Sequence, residues 1–237
     1  YNLNAGHSFL PEDKLTGATA MLLSVEEAVV CQCLERLLSD GQLIRAVLAG
    51  ITVIYLPALY EAETYCSRRL LEFAKTQYPK SAFLDRRLQQ AAREGGVEYS
   101  QQQKQAIRDA ADTGLLLITG GPGTGKTTIV RGILSLYEQM GLKCLLAAPT
   151  GRAAKRMTEV TGHDASTIHR LLEAGIDPYT GELVFSKNES EPLKADAIIV
   201  DEMSMVDIQL LHSLLQAVTS NTRLILVGDP DQLPPVG

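Results

Sequence analysis

The sequence lacks several features that would indicate a metal-binding, secreted or membrane protein. Its four cysteines form no C-x-x-C pair and have no nearby histidine at ligand spacing, which argues against a zinc site. No apolar run approaches the roughly 20 residues that a membrane span needs, and no secretory signal is visible. We therefore expect a cytoplasmic protein with reduced thiols and no membrane partner.

Excess positive charge is also missing. The 22 lysine and arginine residues stand against 28 aspartate and glutamate residues, which gives a formal net charge of -6. This balance argues weakly against a protein that coats nucleic acid by charge alone, although a local basic track is still possible. The 237 residues are enough for one or two globular domains. Because the chain begins at Tyr1 and ends at Gly237, we expect a piece of a longer protein.

The most informative stretch is a glycine-rich loop between a strand-like and a helix-like segment. The apolar run Leu115–Thr119 predicts a buried strand, and it leads into GGPGTGKT, from Gly120 to Thr127. The pattern G-x-x-x-x-G-K-[ST], followed by a helical stretch to Met140, is typical of a phosphate-binding loop. A glycine turn that binds nothing is the alternative, but it would need neither the lysine nor the flanking strand and helix.

Each residue type in this loop suits a phosphate group. Glycine lets the backbone turn tightly and point its N–H groups inward, as we expect for Gly121, Gly123 and Gly125. Lys126 would supply positive charge to the β- and γ-phosphates, and the Thr127 hydroxyl is an oxygen ligand for Mg²⁺. The predicted nucleotide-binding residues of the loop are Gly121, Pro122, Gly123, Thr124, Gly125, Lys126, Thr127 and Thr128.

Two further strand-like segments end in polar residues that would complete such a site. Ala195–Val200 delivers Asp201 and Glu202. Asp201 is predicted to hold Mg²⁺, directly or through water, and Glu202 to orient and deprotonate the attacking water. The alternative for Asp201 is an N-cap of the following helix. Gln232 follows the strand Thr222–Gly228, where it could sense a γ-phosphate.

Other polar residues have two interpretations each. Ser100 and Gln103 have the spacing of a capping box, so Gln103 is either a helix cap or an amide that reads an adenine edge. After the strand Leu142–Ala148, the donors Thr150, Arg152, Lys155 and Arg156 suit the phosphates of a nucleic-acid strand. The alternative for this group is a charged turn at the start of a surface helix.

The short segment Ala165–Leu172 is predicted to be a helix capped by Ser166 or Thr167. It contains His169, and a lone histidine is more often a cap or packing residue than a ligand. The loop-like region behind it includes Glu182–Phe185, which we expect to be one strand of a protruding hairpin.

The N-terminal 60 residues predict a small separate α+β unit. Two helices, the second opened by a capping box at Ser24–Glu27, precede a β-hairpin over Leu43–Leu56, an order that suggests a winged-helix module. Such a module would contact DNA or separate its strands. The alternative, a structural packing domain, is slightly favoured because Arg45 is the only charge in the hairpin. Residues 61–98 are predicted to form a helical connector.

Together these segments resemble a superfamily 1 DNA helicase of the RecD type, and the resemblance covers nearly the whole chain. The helicase motifs that it matches are the Q motif at Tyr99–Ile107, motif I at Gly120–Thr127, motif Ia at Ala148–Ala154, the next DNA-contacting motif at Thr167–His169, motif II at Asp201–Ser204 and motif III at Gly228–Leu233. The N-terminal segment also resembles the small domain of the long, stand-alone RecD-like proteins.

This resemblance implies a RecA-like P-loop NTPase domain with a parallel sheet over residues 99–237, in which the Gln232 strand neighbours the glycine-loop strand. It implies ATP-driven 5′→3′ movement along single-stranded DNA, with Gln103 reading adenine and Lys126, Glu202 and Gln232 acting in catalysis. The residues implied to contact DNA are Pro149, Thr150, Arg152, Thr167 and His169.

The resemblance also implies a second motor domain C-terminal to Gly237, because the family takes its γ-phosphate arginines from there. An arginine finger is worth roughly 10³–10⁵ in rate, so we expect this piece alone to bind nucleotide weakly and hydrolyse it poorly. We expect a monomer. The rival interpretations are a non-helicase P-loop NTPase, although the N-K-x-D stretch of a guanine reader does not occur, and a DNA-binding module without motor activity.

Overall fold

The computed structural model of the chain describes residues 7–80 and 83–232. These residues fall into two units. The N-terminal unit takes the described residues up to Ser67 together with Asp207–His212, and the second unit takes Arg68–Val206 and the described residues from Ser213 onward. The division into 1–60, 61–98 and 99–237 that the sequence suggested stays a prediction.

The N-terminal unit combines helices with a small antiparallel sheet. Its elements are β1 (Phe9–Pro11), α1 (Glu12–Leu23), α2 (Glu27–Ser39), β2 (Ile44–Leu48), β3 (Ile51–Tyr55) and the first part of α3 (Pro57–Lys75). The strands lie in the order β1-β3-β2, and Ala49 and Gly50, both with positive φ, form the tight turn of the β2–β3 hairpin. Two helices followed by a hairpin are therefore present, while the winged-helix assignment stays a prediction.

Arg45, in β2, is paired with two carboxylates. Its guanidinium donates to Glu12 at 2.8 Å and to Glu35 at 2.6 Å, which ties the hairpin to α1 and α2. The hydrogen bond lowers the pKa of Glu35, and the two carboxylates raise that of Arg45. Exposed ion pairs add little stability. The pairs with Glu12 and Glu35 nevertheless occupy the guanidinium of Arg45, which is the charge of the hairpin that could contact a DNA phosphate. This supports the packing interpretation of the unit.

Helix length and composition bear on the predicted lack of a membrane segment. Among the described residues, no single helix is long and apolar enough to cross a membrane, and α1 and α2 pass that test only as a pair bent by 119°.

The second unit contains a parallel sheet flanked by helices. Its elements are α4 (Leu84–Glu94), α5 (Gln101–Asp112), β4 (Leu115–Thr119), α6 (Lys126–Met140), β5 (Cys144–Ala148), α7 (Gly151–Thr161), β6 (Ala165–Thr167), α8 (Ile168–Leu171), β7 (Ala174–Ile176), β8 (Leu183–Phe185), β9 (Ala197–Val200), a 3₁₀ helix (Met203–Met205), α9 (Ile208–Ala217, of which Ser213 onward belongs here) and β10 (Arg223–Gly228). Five of these strands pair in parallel in the order β4-β10-β9-β5-β6. The predicted α/β class with a parallel sheet is confirmed, as is the neighbouring position of β10 and β4.

The predicted helix over Ala165–Leu172 is confirmed for Ile168–Leu171, with Thr167 as its cap, but is wrong for Ala165–Thr167. Ala165–Thr167 forms β6 and pairs with β5, with Thr167 opposite Ala148. The unpaired edge of β5 offers backbone hydrogen bonds that a local sequence pattern cannot reveal, and they outweigh the helical preference. The predicted hairpin strand at Glu182–Phe185 is present as β8, paired with β7.

The capping box predicted at Ser24 is also wrong. Ser24 has a left-handed backbone with φ of 53° and ends α1, while Glu26 stands at the N-cap of α2 without a side-chain hydrogen bond. A residue that terminates one helix in this conformation cannot have the extended backbone of an N-cap.

The helix behind the glycine loop is held by close packing. Tyr137, in α6, is fully buried, and its hydroxyl donates to the carbonyl of Ala110 at 2.7 Å. A Cβ added at Gly132 would lie 2.5 Å from Ile107 Cδ1, so α5 and α6 approach as closely as a glycine allows. The loop that precedes α6 is therefore anchored to a rigid element.

An ion pair joins α6 to the segment that follows α7. The ring of His163 places Nε2 2.8 Å from Glu138 Oε1 and Nδ1 3.0 Å from the carbonyl oxygen of Thr161. Both partners accept hydrogen bonds, so both ring nitrogens must carry a proton for both bonds to form. The hydrogen bond to Glu138 raises the pKa of His163, with smaller help from Thr161.

We predict that this ion pair stabilises the chain at low pH and loses its effect as pH rises. Because the pKa of His163 is raised by folding, the contribution is fully present below the unfolded value of about 6.5 and disappears as pH passes the higher folded value. Urea unfolding of the parent and of Glu138→Gln should therefore show a stability difference that shrinks with pH. Glu159→Gln, an exposed glutamate on α7, is the control, and a Glu138→Gln difference independent of pH would contradict the prediction.

Candidate nucleotide-binding site

The glycine-rich loop connects β4 to α6. Gly123 and Gly125 have φ of 77° and 88°, in the left-handed region that favours glycine, and Gly125 stands at the N-cap of α6. We also expected glycine to be required at position 121 for the tight turn, but Gly121 does not have a positive φ. Since α6 begins at Lys126, the unpaired N–H groups of its first turn lie at this loop, where an anion is stabilised.

A cavity of about 340 Å³ opens beside the loop. It brings together groups that come from four separate parts of the second unit. Among the residues that line it are Gly121, Pro122, Gly123, Thr124, Gly125, Lys126, Thr127, Arg156, Asp201, Glu202, Asp229 and Gln232. Lys126, the acid pair and Gln232 therefore face one space, as the sequence predicts, whereas Thr128 and Gln103 do not line it.

A larger cavity, of about 630 Å³, lies in the N-terminal unit and is unsuited to a phosphate. Its walls are mainly apolar side chains such as Phe9, Leu15 and Leu59. The described residues that line it include no lysine, arginine, aspartate or glutamate. Size therefore does not identify the functional site here, and the chemistry of the lining does.

Lys126 lies over its own loop. Its ammonium donates to the carbonyl of Gly120 and, at 3.0 Å, to that of Gly121. The hydroxyl of Thr124 donates to the same Gly121 carbonyl at 2.9 Å. The loop is thus closed by three side-chain hydrogen bonds, and a phosphate that takes up the Lys126 charge would replace the carbonyl partners.

Asp201 and Glu202 follow the fully buried strand β9. Burial raises the pKa of Asp201, and the Glu202 charge acts in the same direction. The hydrogen bond from the Glu202 N–H, at 2.8 Å, and the positive charges of Lys126 and Arg156 oppose that shift. Glu202 has φ of 55°, a conformation that costs energy for a residue with a side chain and is concentrated at functional sites.

The alternative interpretation of Asp201 as a helix cap is wrong. The N–H of Leu210 donates to the side chain of Asp207 at 2.7 Å, so Asp207 caps α9. The side chain of Asp201 instead accepts from its neighbour Glu202 and lines the cavity. Asp201 is therefore free for a role at the cavity.

Gln232 is held at the cavity by two hydrogen bonds. The hydroxyl of Ser204 donates to Gln232 Oε1 at 3.2 Å, and the Gln232 N–H donates to the carbonyl of Asp229 at 3.3 Å. Because Ser204 engages the amide oxygen, the amide NH₂ is the part of Gln232 that remains to donate. The segment after β9 and the segment after β10 are thereby linked.

Gln103 forms the helix cap that the sequence predicts. Its Oε1 accepts from the N–H of Ser100 at 2.9 Å and its N–H donates to the Ser100 hydroxyl, so the capping box at the start of α5 is formed. Its Nε2 lies 2.6 Å from the point that a Cβ of Gly125 would occupy. The cap holds the amide against the last glycine of the loop, and whether that amide reads adenine stays a prediction.

The residues predicted to contact DNA lie around the adjacent ends of β5 and β6. The hydroxyl of Thr150 accepts from Ala153 and caps α7, and that of Thr167 accepts from Arg170 and caps α8. The ring of His169 lies near that of Phe185 in the hairpin, with centroids 5.9 Å apart and the two planes tilted by 48°. Pro149 and Arg152 flank Thr150, and none of the five predicted residues (Pro149, Thr150, Arg152, Thr167 and His169) lines the nucleotide cavity. The two sets of predicted residues thus occupy different surfaces.

Two charged residues that line the cavity, Asp229 and Arg156, were not assigned to it from the sequence, nor was Ser204, which contacts Gln232 without lining the cavity. Asp229 directly follows β10, is 4% exposed and accepts from the N–H of Asp231 at 3.1 Å. Its position after a buried strand, like that of Asp201, is the signal that could have revealed it. Arg156 and Ser204 carry no such signal, because the direction of a helical or turn side chain depends on tertiary packing.

Oxygen ligands suited to Mg²⁺ line this cavity. The hydroxyl of Thr127 and the carboxylate of Asp201 are hard donors of the kind that magnesium prefers. Within residues 7–80 and 83–232, no group of three or more His, Cys, Asp or Glu side chains is arranged to hold a metal. Mg²⁺ usually takes only one or two carboxylates and completes its shell with phosphate and water, so the donor set fits a nucleotide-bound ion.

A family model matches the part of the chain that builds this site. The model is described as an AAA domain and covers residues 103–237, more than half of the chain. The chain belongs to the AAA domain family. The match begins at Gln103 and contains the glycine loop, the acid pair and Gln232.

Curated relatives confirm that this AAA domain protein resembles the RecD type. It is 40% identical over 246 residues to the ATP-dependent RecD2 DNA helicase of Deinococcus radiodurans, covering 98% of this chain and 33% of that protein. It is 43% identical over 159 residues to the RecBCD enzyme subunit RecD of Mycolicibacterium smegmatis, covering 57% of this chain and 28% of that protein. The chain thus spans about a third of the length of these relatives.

A solved structure of the Pif1 helicase from Bacteroides, in complex with ADP-AlF3 and ssDNA, is also similar. It is 28% identical to the AAA domain chain with a TM-score of 0.42, and the match covers 60% of this chain and 34% of that chain.

We predict that Ser204→Ala lowers nucleotide turnover by the full-length AAA domain protein about fivefold, the effect of losing one neutral hydrogen bond. The Gln232 amide would lose its donor and rotate, whereas contacts between the loop and the nucleotide would remain. Steady-state hydrolysis should therefore show a fall in kcat with little change in KM. Ser186→Ala, in an exposed position after β8, is the control. A rise in KM with unchanged kcat would contradict this role for Ser204.

Proposed function

We propose that the chain is the nucleotide-binding part of an ATP-dependent DNA helicase that moves 5′→3′ along single-stranded DNA. The observation that carries this proposal is the common cavity of Lys126, Asp201, Glu202 and Gln232. A cation on a glycine loop, two acids and an amide are the groups that phosphoryl transfer to water requires. The similarity to RecD-type helicases supports DNA as the track.

In this proposal the phosphates of ATP lie along the loop Gly121–Thr128, with Lys126 at the β- and γ-phosphates. Gln103 reads the adenine edge through its free NH₂ group, since its oxygen is engaged by Ser100. Thr127 and Asp201 would hold Mg²⁺, which neutralises charge that develops on the phosphates. The raised pKa of Asp201 reflects burial, so a nearby cation would favour its charged form.

Glu202 and Gln232 are proposed to act on the attacking water. Glu202 accepts a proton from that water, and its left-handed backbone directs the side chain differently from that of Asp201. The NH₂ group of Gln232 donates a hydrogen bond to the γ-phosphate or to the water. Glu202 follows β9 and Gln232 follows β10, and these two strands are neighbours in the sheet. Both side chains would therefore lie near the phosphate that is released.

Pro149, Thr150, Arg152, Thr167 and His169 are proposed to contact single-stranded DNA. Arg152 is exposed and has no ion pair among the described residues, so its charge is available to a phosphate. The adjacent pairing of β5 and β6 supports a shared DNA surface for the residues that follow them.

The remaining features of the whole protein are proposals of the same kind. We propose a long, stand-alone RecD type, because the match to RecD2 extends over 98% of the chain. A second motor domain, C-terminal to Gly237, would supply the γ-phosphate arginines. We further propose a monomer with domains at 1–60, 61–98 and 99–237, acting in the reducing cytoplasm, which agrees with four free cysteines.

The proposal is tested by separating ATP turnover from DNA binding in the full-length protein. Lys126→Ala should abolish ATP hydrolysis and leave the affinity for single-stranded DNA unchanged. Arg152→Ala should weaken DNA binding about tenfold, the effect of one charged hydrogen bond, while nucleotide still binds. Fluorescence anisotropy of a labelled oligonucleotide and a phosphate-release assay measure the two activities.

Lys143→Ala removes one exposed charge elsewhere in the second unit and serves as the control for both variants. Equal ATP hydrolysis by Lys126→Ala and the parent would refute the motor. If Lys126→Ala lost turnover but the parent bound no DNA, a non-helicase P-loop NTPase would be the better description.

A further inference from the structure

The nucleotide cavity contains an arginine from the helix that begins at the proposed DNA surface. α7 is capped by Thr150 and contains Arg152 in its first turn, and its second half reaches the cavity through Arg156, Met157 and Val160. Arg152 and Arg156 are four residues apart, so they lie about 6 Å from each other along one face of the helix. A single rigid element thus carries a cation at each of the two surfaces.

Arg156 has no fixed partner among the described residues. It is exposed and forms neither an ion pair nor a hydrogen bond within residues 7–80 and 83–232. Lys126 differs, because it is bonded to the carbonyls of Gly120 and Gly121. Arg156 is therefore an uncommitted guanidinium, and a guanidinium is the group best suited to bind phosphate oxygens in pairs.

The position of Arg156 points to the phosphate end of the cavity. Arg156 lines this cavity together with the glycine loop and the acid pair. Gln103, at the side proposed for the base, does not line the same space. The cavity holds three carboxylates, from Asp201, Glu202 and Asp229, and a triphosphate would add further negative charge there. Lys126 and one Mg²⁺ ion would offset only part of this negative charge, which leaves a role for a further cation.

We propose that Arg156 binds the terminal phosphate of the nucleotide from within this domain, and that α7 thereby makes DNA contact at Arg152 depend on that phosphate. This inference rests on the proposed function, and it assigns Arg156 to the nucleotide rather than to DNA. When the terminal phosphate leaves, the guanidinium loses its partner and α7 is released. The helix is then the element through which hydrolysis changes the grip on the DNA strand.

The test compares triphosphate with diphosphate binding in the full-length protein. Arg156→Ala should weaken binding of a non-hydrolysable ATP analogue about tenfold, the effect of one charged hydrogen-bonded contact. ADP binding should change less than about twofold, since ADP lacks the terminal phosphate. Arg156→Lys should recover part of the triphosphate affinity. Isothermal titration calorimetry with Mg²⁺ present measures all of these affinities.

Lys155→Ala is the matched control. Lys155 is the preceding residue on the same exposed helix, does not line the cavity and pairs with Glu159 at 4.0 Å. The Lys155→Ala variant should have the same ratio of triphosphate to diphosphate affinity as the parent. A general loss of structure would lower both affinities together, so the ratio separates a specific phosphate contact from misfolding.

The coupling to DNA has its own readout. In the parent, the affinity for a labelled single-stranded oligonucleotide should differ between the ATP analogue and ADP, and in Arg156→Ala it should be the same with both. An unchanged affinity ratio in Arg156→Ala, together with weaker DNA binding without nucleotide, would overturn the inference alone and return Arg156 to the DNA surface. Failure of the parent to bind either nucleotide would overturn the proposed function and the inference with it.

Discussion

The candidate site depends on the parallel pairing of β10 with β4 on one side and β9 on the other. Parallel strands end at the same edge of a sheet, so the glycine loop, the acid pair and the segment that carries Gln232 emerge side by side. A slip of one residue would turn a strand's side chains to the opposite face. Because β9 and nearly all of β10 are buried on both faces, such a slip would disrupt side-chain packing on each face, and packing thereby positions the chemistry.

The charge state of Asp201, at this edge of the sheet, depends on two opposing effects: its burial and the nearby positive charges. Burial alone favours a neutral Asp201, whereas the charges of Lys126 and Arg156 favour the carboxylate. Each cation comes from a different helix, α6 or α7, so the charge state of the acids depends on how both helices pack against the sheet. Glu202 has a left-handed backbone conformation, and its N–H donates a hydrogen bond to the carboxylate of Asp201. The two adjacent carboxylates are therefore in different environments.

Features that depend on one segment were predictable from the sequence, and features that depend on packing were not. The strand, glycine loop and helix follow from local pattern, and so does the capping box at Ser100. The same pattern fails at Ser24, where the end of α1 imposes a left-handed backbone. Ala165–Thr167 becomes a strand because β5 offers it an edge, and only tertiary packing turns Arg156 toward the cavity beside the glycine loop rather than toward the surface proposed to bind DNA.

The proposed function requires that one triphosphate be held between Lys126 and the acid pair. A crystal structure of the protein with Mg²⁺ and a non-hydrolysable ATP analogue would show whether it is. We expect the terminal phosphate to lie between the Lys126 ammonium and Asp201, within reach of the Gln232 amide. A nucleotide bound elsewhere, or one bound here while Lys126 keeps its hydrogen bonds to the carbonyls of Gly120 and Gly121, would refute this arrangement.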